Sequence, residues 1–388
     1  MPSTQAFLPF HVPDLGEEEI RAATEVLKSG WLTTGPVTKN FEEAFRNYVG
    51  AKYAVAVNSC TAALHLALDA IGLKEGDEVI LPSMTFAATG EVVRHFKAKP
   101  VLADCREDNQ NLDVGHVESM ITSRTRAIIP VHFAGHPVEM DLLTDLAKKR
   151  GLSVIEDAAH SLPARFKGRM VGTIGDMTCF SFYATKTITT GEGGMIVTDN
   201  PEYVDRLRMM SLHGISKDAW KRYMSEGSWY YEILAAGFKY NLTDLASAIG
   251  IEQLKKCDGF LKKRLEYAAL YHEGFADLPE IRIPKSVGDI QHSWHLYVIQ
   301  LELDRLTIDR AQFIEKLRKA NVGTGVHFIP LHMHPYYRDE FGYRPEDLPH
   351  AHAVSRRILS LPIYSRMTEG DVARVIDAVR KIVSESRK

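Results

Sequence analysis

The sequence has few cysteines, no long apolar run and no large excess of charge of either sign. The four cysteines stand far apart and form no C-x-x-C pair, which argues against a disulfide framework and against a zinc site with cysteine ligands. No apolar run could span a bilayer, and residues 1–4 lack the basic start of a signal peptide. We therefore expect a cytoplasmic protein with no membrane partner. The cysteines are Cys60, Cys105, Cys179 and Cys257.

Charge and length narrow the class of protein further. Lys and Arg total 47 against 50 for Asp and Glu, a net charge of -3, and this balance argues against a nucleic-acid partner bound through many phosphates. Hydrophobic residues make up 45% of the 388 residues, as in an ordinary folded protein. This length favours one large domain followed by a smaller one.

Apolar segments rich in valine and isoleucine alternate with helix-period segments through the first half of the chain. Continuous apolar strands separated by helices are typical of a mostly parallel sheet covered on both faces. We predict helices at residues 61–71, 85–96 and 139–150. We predict the strands of this sheet at residues 52–58, 78–82, 100–104, 126–133, 152–157, 177–182 and 194–198.

The pattern changes after residue 243. A long helical stretch there runs into Lys262, Lys263 and Arg264, which we interpret as a solvated helix face. The fold class is therefore α/β, with a large α/β domain over residues 1–250 and a smaller α+β domain over residues 251–388. In the smaller domain we predict strands near residues 295–301 and 325–328 and helices at residues 309–320 and 368–384.

Ligands of open parallel sheets bind at the carboxyl ends of the strands. Ser59, Cys60 and Thr61 follow the first predicted strand at the start of a helix, where hydroxyls and backbone N–H groups suit a phosphate. A serine or threonine helix cap would explain the same residues. Asp157 ends another buried strand, where a carboxylate is costly without a cationic partner. The alternative is that Asp157 caps the next helix.

Lys186 lies between an apolar strand and the glycine-rich sequence TGEGG. A lysine that is partly desolvated there can lose its charge and react with an aldehyde. Pyridoxal phosphate requires an acid for its ring nitrogen, a lysine for its aldehyde and a helix N-terminus for its phosphate. Together with Asp157, this lysine therefore predicts that cofactor and not a solvated loop lysine.

The segment SFYATKTITTGEGG, at residues 181–194, resembles the lysine segment of the DegT family of sugar aminotransferases. The resemblance implies a pyridoxal phosphate enzyme of fold type I, with a large, mostly parallel sheet domain and a smaller C-terminal α+β domain. It covers nearly the whole chain, because further motifs follow in the family's order at residues 29–45, 58–68, 81–89, 156–161, 237–250 and 325–332.

The resemblance also implies roles for individual residues of the cofactor site. Lys186 would bind the cofactor and move the proton during catalysis, and Asp157 would keep the ring nitrogen protonated. Phe86 would lie against the ring, with His160 nearby. The implied phosphate contacts are Ser59, Cys60, Thr61 and Ser181.

Other implied contacts involve the substrate and a second subunit. Asn241 would reach the phosphate of the neighbouring subunit's cofactor, which implies a homodimer with shared active sites. Thr33, Tyr183 and His327 would contact the substrate. Many relatives have glycine at the position of Cys60 and histidine at that of Tyr183. The retained lysine separates the chain from related dehydratases, which have histidine in its place.

The implied activity is amino transfer from an amino acid donor, L-glutamate, to a nucleotide-linked ketosugar, with pyridoxamine phosphate as the intermediate form of the cofactor. The resemblance favours C4 of a UDP-linked sugar, in the biosynthesis of lipopolysaccharide or another cell-surface glycan. The alternatives are a 3-ketosugar linked to dTDP or UDP, and a regulatory protein that binds the cofactor without catalysis. A nicotinamide dehydrogenase is disfavoured because no G-x-G-x-x-G follows the first strand.

Several histidines near the end of the chain raise the possibility of a metal site. His332 and His334 have H-x-H spacing, but no cluster of carboxylates accompanies them. We therefore predict no metal.

Overall fold

The computed structural model describes residues 6–216, 230–286 and 289–388. Residues 1–4, considered above for a signal peptide, lie outside these ranges. The strands are β1 Tyr53–Val57, β2 Glu78–Pro82, β3 Lys99–Ala103, β4 Thr125–Ile128, β5 Ser153–Asp157, β6 Arg165–Phe166, β7 Arg169–Met170, β8 Met177–Ser181, β9 Gly194–Thr198, β10 Ile281–Arg282, β11 Ile290–Gln291, β12 Tyr297–Leu301 and β13 Ile358–Leu361. The helices are α1 Glu17–Ser29, α2 Pro36–Val49, α3 Cys60–Ala70, α4 Ala87–His95, α5 Val114–Met120, α6 Met140–Arg150, α7 Pro201–Ser211, α8 Asp244–Phe275, α9 Arg310–Lys319, α10 Pro335–Phe341, α11 Pro349–Ser355 and α12 Glu369–Ser386.

A seven-stranded sheet forms the centre of the molecule. Its strand order is β1-β9-β8-β5-β4-β2-β3, and only β9 runs antiparallel to its neighbours in this sheet. Because successive side chains of a strand point to opposite faces, β1 contributes Val55 and Val57 to one core and Ala54 and Ala56 to another. The prediction of a mostly parallel sheet buried on both faces is confirmed.

A smaller antiparallel sheet, β10-β12-β13, lies in the C-terminal part of the chain. Its core includes Phe313 of α9 and Val379 of α12. Leu8, near the start of the chain, also packs in this core and pairs with Val322. The N-terminal segment therefore contacts the C-terminal sheet, and it brings the residues that follow Leu8 close to both parts of the chain.

Helix α8 joins the two cores. Its first half places Cys257 and Phe260 in the core beneath β1 and β9, and its second half places Tyr271 and Phe275 against β12. The predicted domain boundary at residue 250 falls inside this helix, so the division into residues 1–250 and 251–388 stays a prediction.

The solvated helix face predicted at residues 262–264 is wrong for Arg264. Lys262 and Lys263 are exposed, but Arg264 is only 1% exposed. Three consecutive helical residues span more than half a turn, so one of them must face the interior when the helix is packed on one side. A buried guanidinium is consequently part of this core.

The predicted strand at residues 325–328 is also wrong. Only Gly325 pairs, through an isolated bridge to Ser360 of β13, while His327 and Phe328 line a pocket. The strand predicted at residues 126–133 ends early, at Ile128. Pro130 follows shortly afterwards, and proline has no N–H to donate to a sheet. The other predicted helices and strands match observed ones, with ends that shift by a few residues.

Among the described residues, no helix combines the length and the apolar composition needed to cross a membrane.

Candidate active site

A pocket of about 470 Å³ opens where β1, β5 and β8 end. It gathers the predicted residues that follow these strands, together with side chains from the N-terminal segment and from residues 295–328. The fold therefore brings together ten of the predicted site residues, which are Ser59, Cys60, Thr61, Phe86, Asp157, His160, Ser181, Tyr183, Lys186 and His327.

The turn between β1 and α3 combines a helix cap with a possible phosphate site. The Ser59 hydroxyl accepts a hydrogen bond from the Ala62 N–H at 3.0 Å, so the capping interpretation holds. The Cys60 thiol points toward the carbonyl oxygen of Cys179, 3.6 Å away, and Thr61 is exposed to the pocket. The Cys60 side chain therefore leaves the helix N-terminus open. This is the arrangement that binds anions at helix N-termini.

Asp157 lies at the carboxyl end of β5, 6% exposed. Its Oδ2 accepts a hydrogen bond from the Thr89 hydroxyl at 2.8 Å, and its Oδ1 accepts one from the Ala159 N–H at 3.2 Å. It forms no ion pair with any described residue. Burial raises the pKa of Asp157, although the Thr89 hydrogen bond and the Lys186 charge partly oppose this effect. The alternative that Asp157 caps a helix is wrong, since a turn follows it.

Lys186 enters the pocket from the loop between β8 and β9. Its ammonium forms no ion pair within the described part of the chain. Burial lowers its pKa, while the neighbouring Cys60 and Asp157 raise it. The lysine is therefore shifted toward the neutral, nucleophilic form.

These residues fit pyridoxal phosphate by charge. The buried carboxylate of Asp157 forms no ion pair with a described residue, and a protonated ring nitrogen would supply a cation for it. Lys186 lacks an anion and is available to the aldehyde, and the N-terminus of α3 is available to the phosphate.

Aromatic side chains form another side of the pocket. Phe86 is 64% exposed, and its ring centroid lies 6.1 Å from that of Phe328. The His160 ring stacks on Phe328 at 5.9 Å and lies 4.6 Å from the His295 ring. Flat surfaces of this kind suit a planar ligand.

Thr33 and Asn241 do not line this pocket. The Asn241 amide donates to the Thr34 hydroxyl at 2.7 Å and accepts from Lys239 Nζ at 2.6 Å. The Thr33 carbonyl accepts from the Asp244 N–H at 3.2 Å. Both residues therefore lie together but outside their own chain's pocket, and their predicted roles stay predictions.

Several pocket residues were not predicted from the sequence, and only some of them belong to recognisable motifs. Thr89 follows Phe86 by three positions on α4, and Glu192 belongs to the glycine-rich sequence, so both could have been found from motifs. His11 and His295 belong to no motif that indicated a site. Only the folded chain brings them to the pocket.

No group of three or more histidine, cysteine, aspartate or glutamate side chains within the described ranges could hold a metal ion. His332 Nδ1 instead lies 2.8 Å from the Ser83 hydroxyl, and His350 Nδ1 lies 2.9 Å from a Glu107 carboxylate oxygen.

Comparison with known proteins identifies relatives over the full length of the fold. The model of the DegT/DnrJ/EryC1/StrS aminotransferase family matches residues 13–380. The spore coat polysaccharide biosynthesis protein SpsC of Bacillus subtilis is 49% identical over 378 residues, which cover 97% of each chain.

Solved structures also superpose on nearly the whole chain. The PMP form of Spr1654 from Streptococcus pneumoniae superposes with a TM-score of 0.92 at 33% identity, covering 97% of this chain and 99% of that one. DesI, solved in the presence of its TDP-sugar product, superposes with a TM-score of 0.88 at 31% identity, covering 99% and 94%.

Proposed function

Because the chain belongs to the DegT/DnrJ/EryC1/StrS aminotransferase family, we propose that it transfers the amino group of L-glutamate to C4 of a UDP-linked ketosugar. It is a pyridoxal phosphate-dependent sugar aminotransferase of fold type I. The observation that carries the proposal is the presence in one pocket of Lys186 and Asp157, neither of which forms an ion pair with a described residue.

The two residues perform different tasks in the proposed reaction. The bound cofactor supplies an electron sink and carries the amino group between the two substrates. Lys186 would take a proton from the donor's α-carbon and later deliver one to the sugar carbon that receives the amino group. Its lowered pKa favours the neutral form that can accept this proton. Asp157 holds a proton on the ring nitrogen, and its burial strengthens that interaction.

Other side chains bind and orient the ligands. We assign the phosphate to Ser59, Cys60, Thr61 and Ser181, around the N-terminus of α3. Phe86 and His160 pack beside the cofactor ring, and Tyr183 and His327 face the sugar. These assignments rest on their shared position in the pocket.

We further propose a homodimer in which Asn241 and Thr33 serve the partner's site. Both lie outside the pocket of their own chain, and Asn241 is fixed by Thr34 and Lys239. An amide held in this way costs little entropy when it binds a phosphate across a subunit boundary.

The similarity to SpsC, named for spore coat polysaccharide biosynthesis, supports a role in making a cell-surface polysaccharide. We place the reaction in the cytoplasm, because all four cysteines lie in the described residues and are free thiols. A dTDP-linked ketosugar is the second candidate, favoured by the likeness to DesI with its TDP-sugar product.

A two-step titration tests the proposal. L-glutamate should convert the absorbance of the cofactor bound to Lys186 into that of pyridoxamine phosphate, and a UDP-linked 4-ketosugar should restore it. The same titration with dTDP-linked and 3-keto sugars ranks the acceptors, and NMR of the product locates the new amine. Lys186→Ala should abolish the cycle, while Lys262→Ala, at an exposed helical lysine, should leave it intact. If wild-type protein binds the cofactor but no amino acid converts it, the regulatory alternative is correct.

A further inference from the structure

One wall of the pocket consists of histidines whose ring nitrogens are left unpaired. His160 and His295 are 7% and 6% exposed, and their ring centroids lie 4.6 Å apart. Nδ1 of each ring and Nε2 of His11 are buried and have no hydrogen-bond partner among the described residues. We call His11, His160 and His295 the histidine wall. A buried nitrogen without a hydrogen-bond partner is costly, so nitrogens of this kind beside a pocket favour a ligand that pairs them.

The histidine wall consists of neutral imidazoles. Burial, followed by the charge of Lys186, lowers the pKa of His160 well below its usual value. Burial lowers the pKa of His11 to about 3. The neutral imidazoles of His160 and His295 still present one N–H donor each, so they can hydrogen-bond an anion without repelling Lys186, whereas His11 has a backbone hydrogen bond at Ala184.

A permanent positive charge lies directly behind the wall. One terminal nitrogen of Arg264 donates to the carbonyl oxygens of Trp294, His295 and Ile363, at 3.0, 3.2 and 2.7 Å. Burial lowers the pKa of Arg264 to about 10, which leaves it charged at neutral pH. Arg264 forms no ion pair with a carboxylate in the part of the chain that the structure describes. A buried charge without a counter-ion is costly, and an anion in the pocket would offset it.

The size and depth of the wall decide which anion fits. The cofactor phosphate has its own place at the N-terminus of α3. A sugar-linked diphosphate is bulky, whereas His160 and His295 line the pocket and expose only a small part of their surface. A carboxylate is small, planar and able to accept two N–H donors. In an amino acid, a single carbon separates the α-carboxylate from the amino group that takes the place of Lys186.

We propose that the histidine wall, backed by Arg264, binds the α-carboxylate of the amino-acid donor. This inference rests on the amino-acid donor of the proposed function and names the residues that select it. The wall distinguishes an amino acid from a simple amine, because only the amino acid pairs the unpaired nitrogens and offsets the buried charge.

The test replaces His295 by phenylalanine, which keeps a ring of similar shape but removes both nitrogens. We expect His295→Phe to raise the L-glutamate concentration for half-maximal conversion about tenfold or more, as expected for the loss of one charge-assisted hydrogen bond. Reaction with 4-aminobutyrate, which lacks the α-carboxylate, should be weak in wild type and no weaker in the variant. The half-saturating ketosugar concentration in the second half-reaction should stay within about twofold, since the sugar has no carboxylate at this wall.

A binding measurement gives a readout apart from turnover. Glutarate, which has the carboxylates of glutamate but no amino group, should bind the holoenzyme in calorimetry, and His295→Phe should bind it about tenfold more weakly. His295→Gln, which keeps an N–H donor, should bind it better than His295→Phe. His352→Phe is the matched control, because His352 also has an unpaired Nδ1 among the described residues but lies outside the pocket.

The outcomes separate this inference from the proposed function. Equal losses with L-glutamate and 4-aminobutyrate, or unchanged glutarate binding in folded His295→Phe, would overturn the carboxylate assignment while leaving the aminotransferase intact. Should His295→Phe fail to fold, His160→Phe supplies the same measurements on the other N–H donor of the wall, with 4-aminobutyrate as the control for any effect on the cofactor. Failure of wild type to react with any amino acid would contradict the proposed donor, and glutarate binding would still report on the wall.

Discussion

At the scale of single residues, some positions beside the site have no room for a larger side chain. Gly194, at the start of β9, is the clearest case. A Cβ atom there would come within 2.6 Å of the carbonyl of Ser59 and within 2.8 Å of the Cys60 nitrogen. Because both neighbours are backbone atoms, they can move away only if the whole turn between β1 and α3 moves.

Gly194→Ala should therefore weaken binding of pyridoxal phosphate by about tenfold or more, since the turn that faces the phosphate is displaced. Titration of the apoprotein with the cofactor, followed by absorbance, measures this. Gly259→Ala is the control, because Gly259 lies at an exposed position of helix α8 with no atom within 4 Å of the added Cβ, and it should leave affinity unchanged. Equal affinities of the Gly194→Ala variant and wild type would contradict the prediction.

Glu156, next to Asp157 on β5, points away from the pocket into a buried network. Its Oε2 lies 2.9 Å from His132 Nε2, and its Oε1 accepts from the Gly175 N–H at 2.7 Å and the Thr178 hydroxyl at 2.8 Å. The Val138 N–H donates to His132 Nδ1, so His132 carries its proton on Nε2 and donates to Glu156. Burial alone would raise the pKa of Glu156, but these hydrogen bonds outweigh it and lower the pKa.

A carboxyl group whose pKa is lowered on folding stabilises the protein above the pKa of the unfolded chain, and this contribution is lost as the pH falls through the folded value. Wild type should therefore lose stability in acid, below about pH 4.3, more steeply than Glu156→Gln. At neutral pH, Glu156→Gln should cost about 1–3 kcal/mol, because its amide N–H₂ meets the N–H of His132. Chemical denaturation at several pH values measures both effects. Glu43→Gln, at a side chain that is 64% exposed, should change neither.

At the scale of elements, one carboxylate joins two helices. Asp244, the first residue of α8, accepts hydrogen bonds from the Gly35 N–H at 2.7 Å, the Val37 N–H at 3.2 Å and the Thr38 N–H at 2.9 Å. These are free N–H groups at the start of α2, so Asp244 caps that helix from a distance of more than 200 positions. The cap also fixes the loop that contains Thr33.

We predict that Asp244→Ala lowers the free energy of unfolding by roughly 2 kcal/mol or more, because it removes a cap and leaves the buried donors of Thr38 and the part-buried N–H groups of Gly35 and Val37 unpaired. Asp309→Ala, which removes the exposed cap of α9, should cost only about 1 kcal/mol. Urea denaturation of the two variants provides the comparison. Equal costs would mean that the cap of α2 contributes no more than an ordinary exposed one.

At the scale of the whole molecule, the position of Asn241 outside its own chain's pocket means that the proposed dimer can be tested by mixing two inactive variants. If Asn241 serves the partner's site, refolded mixtures of Lys186→Ala and Asn241→Ala protein should regain up to about a quarter of wild-type activity. Half the dimers would then be mixed, and each would contain one intact site. A mixture of Lys186→Ala with Asp157→Ala should regain none, since both residues line the same chain's pocket. Activity assays measure the recovery, and light scattering shows whether the refolded protein is a dimer. Absence of recovery with Asn241→Ala would contradict the shared site.

Much of the fold and the centre of the site could be predicted from the sequence, because local patterns encode them. Apolar strands and helix-period segments alternate along the chain, and the ends of β1, β5 and β8 carried Ser59, Asp157 and Lys186 with recognisable neighbours. Errors arose where a local pattern fits two structures. Residues 325–328 were expected to form a strand, but His327 and Phe328 line the pocket, and Arg264 follows two exposed lysines yet faces the core.

The sequence by itself therefore determined the family and the cofactor, and it predicted which residues bind that cofactor, since those residues belong to contiguous motifs at strand ends. The tertiary structure alone decided which distant side chains join them. It brings His11 from the N-terminal segment and His295 from the approach to β12 beside His160, which its motif had already indicated, and places the buried Arg264 behind them. No spacing in the chain encodes that meeting, because it depends on how the small C-terminal sheet packs against the end of the large one.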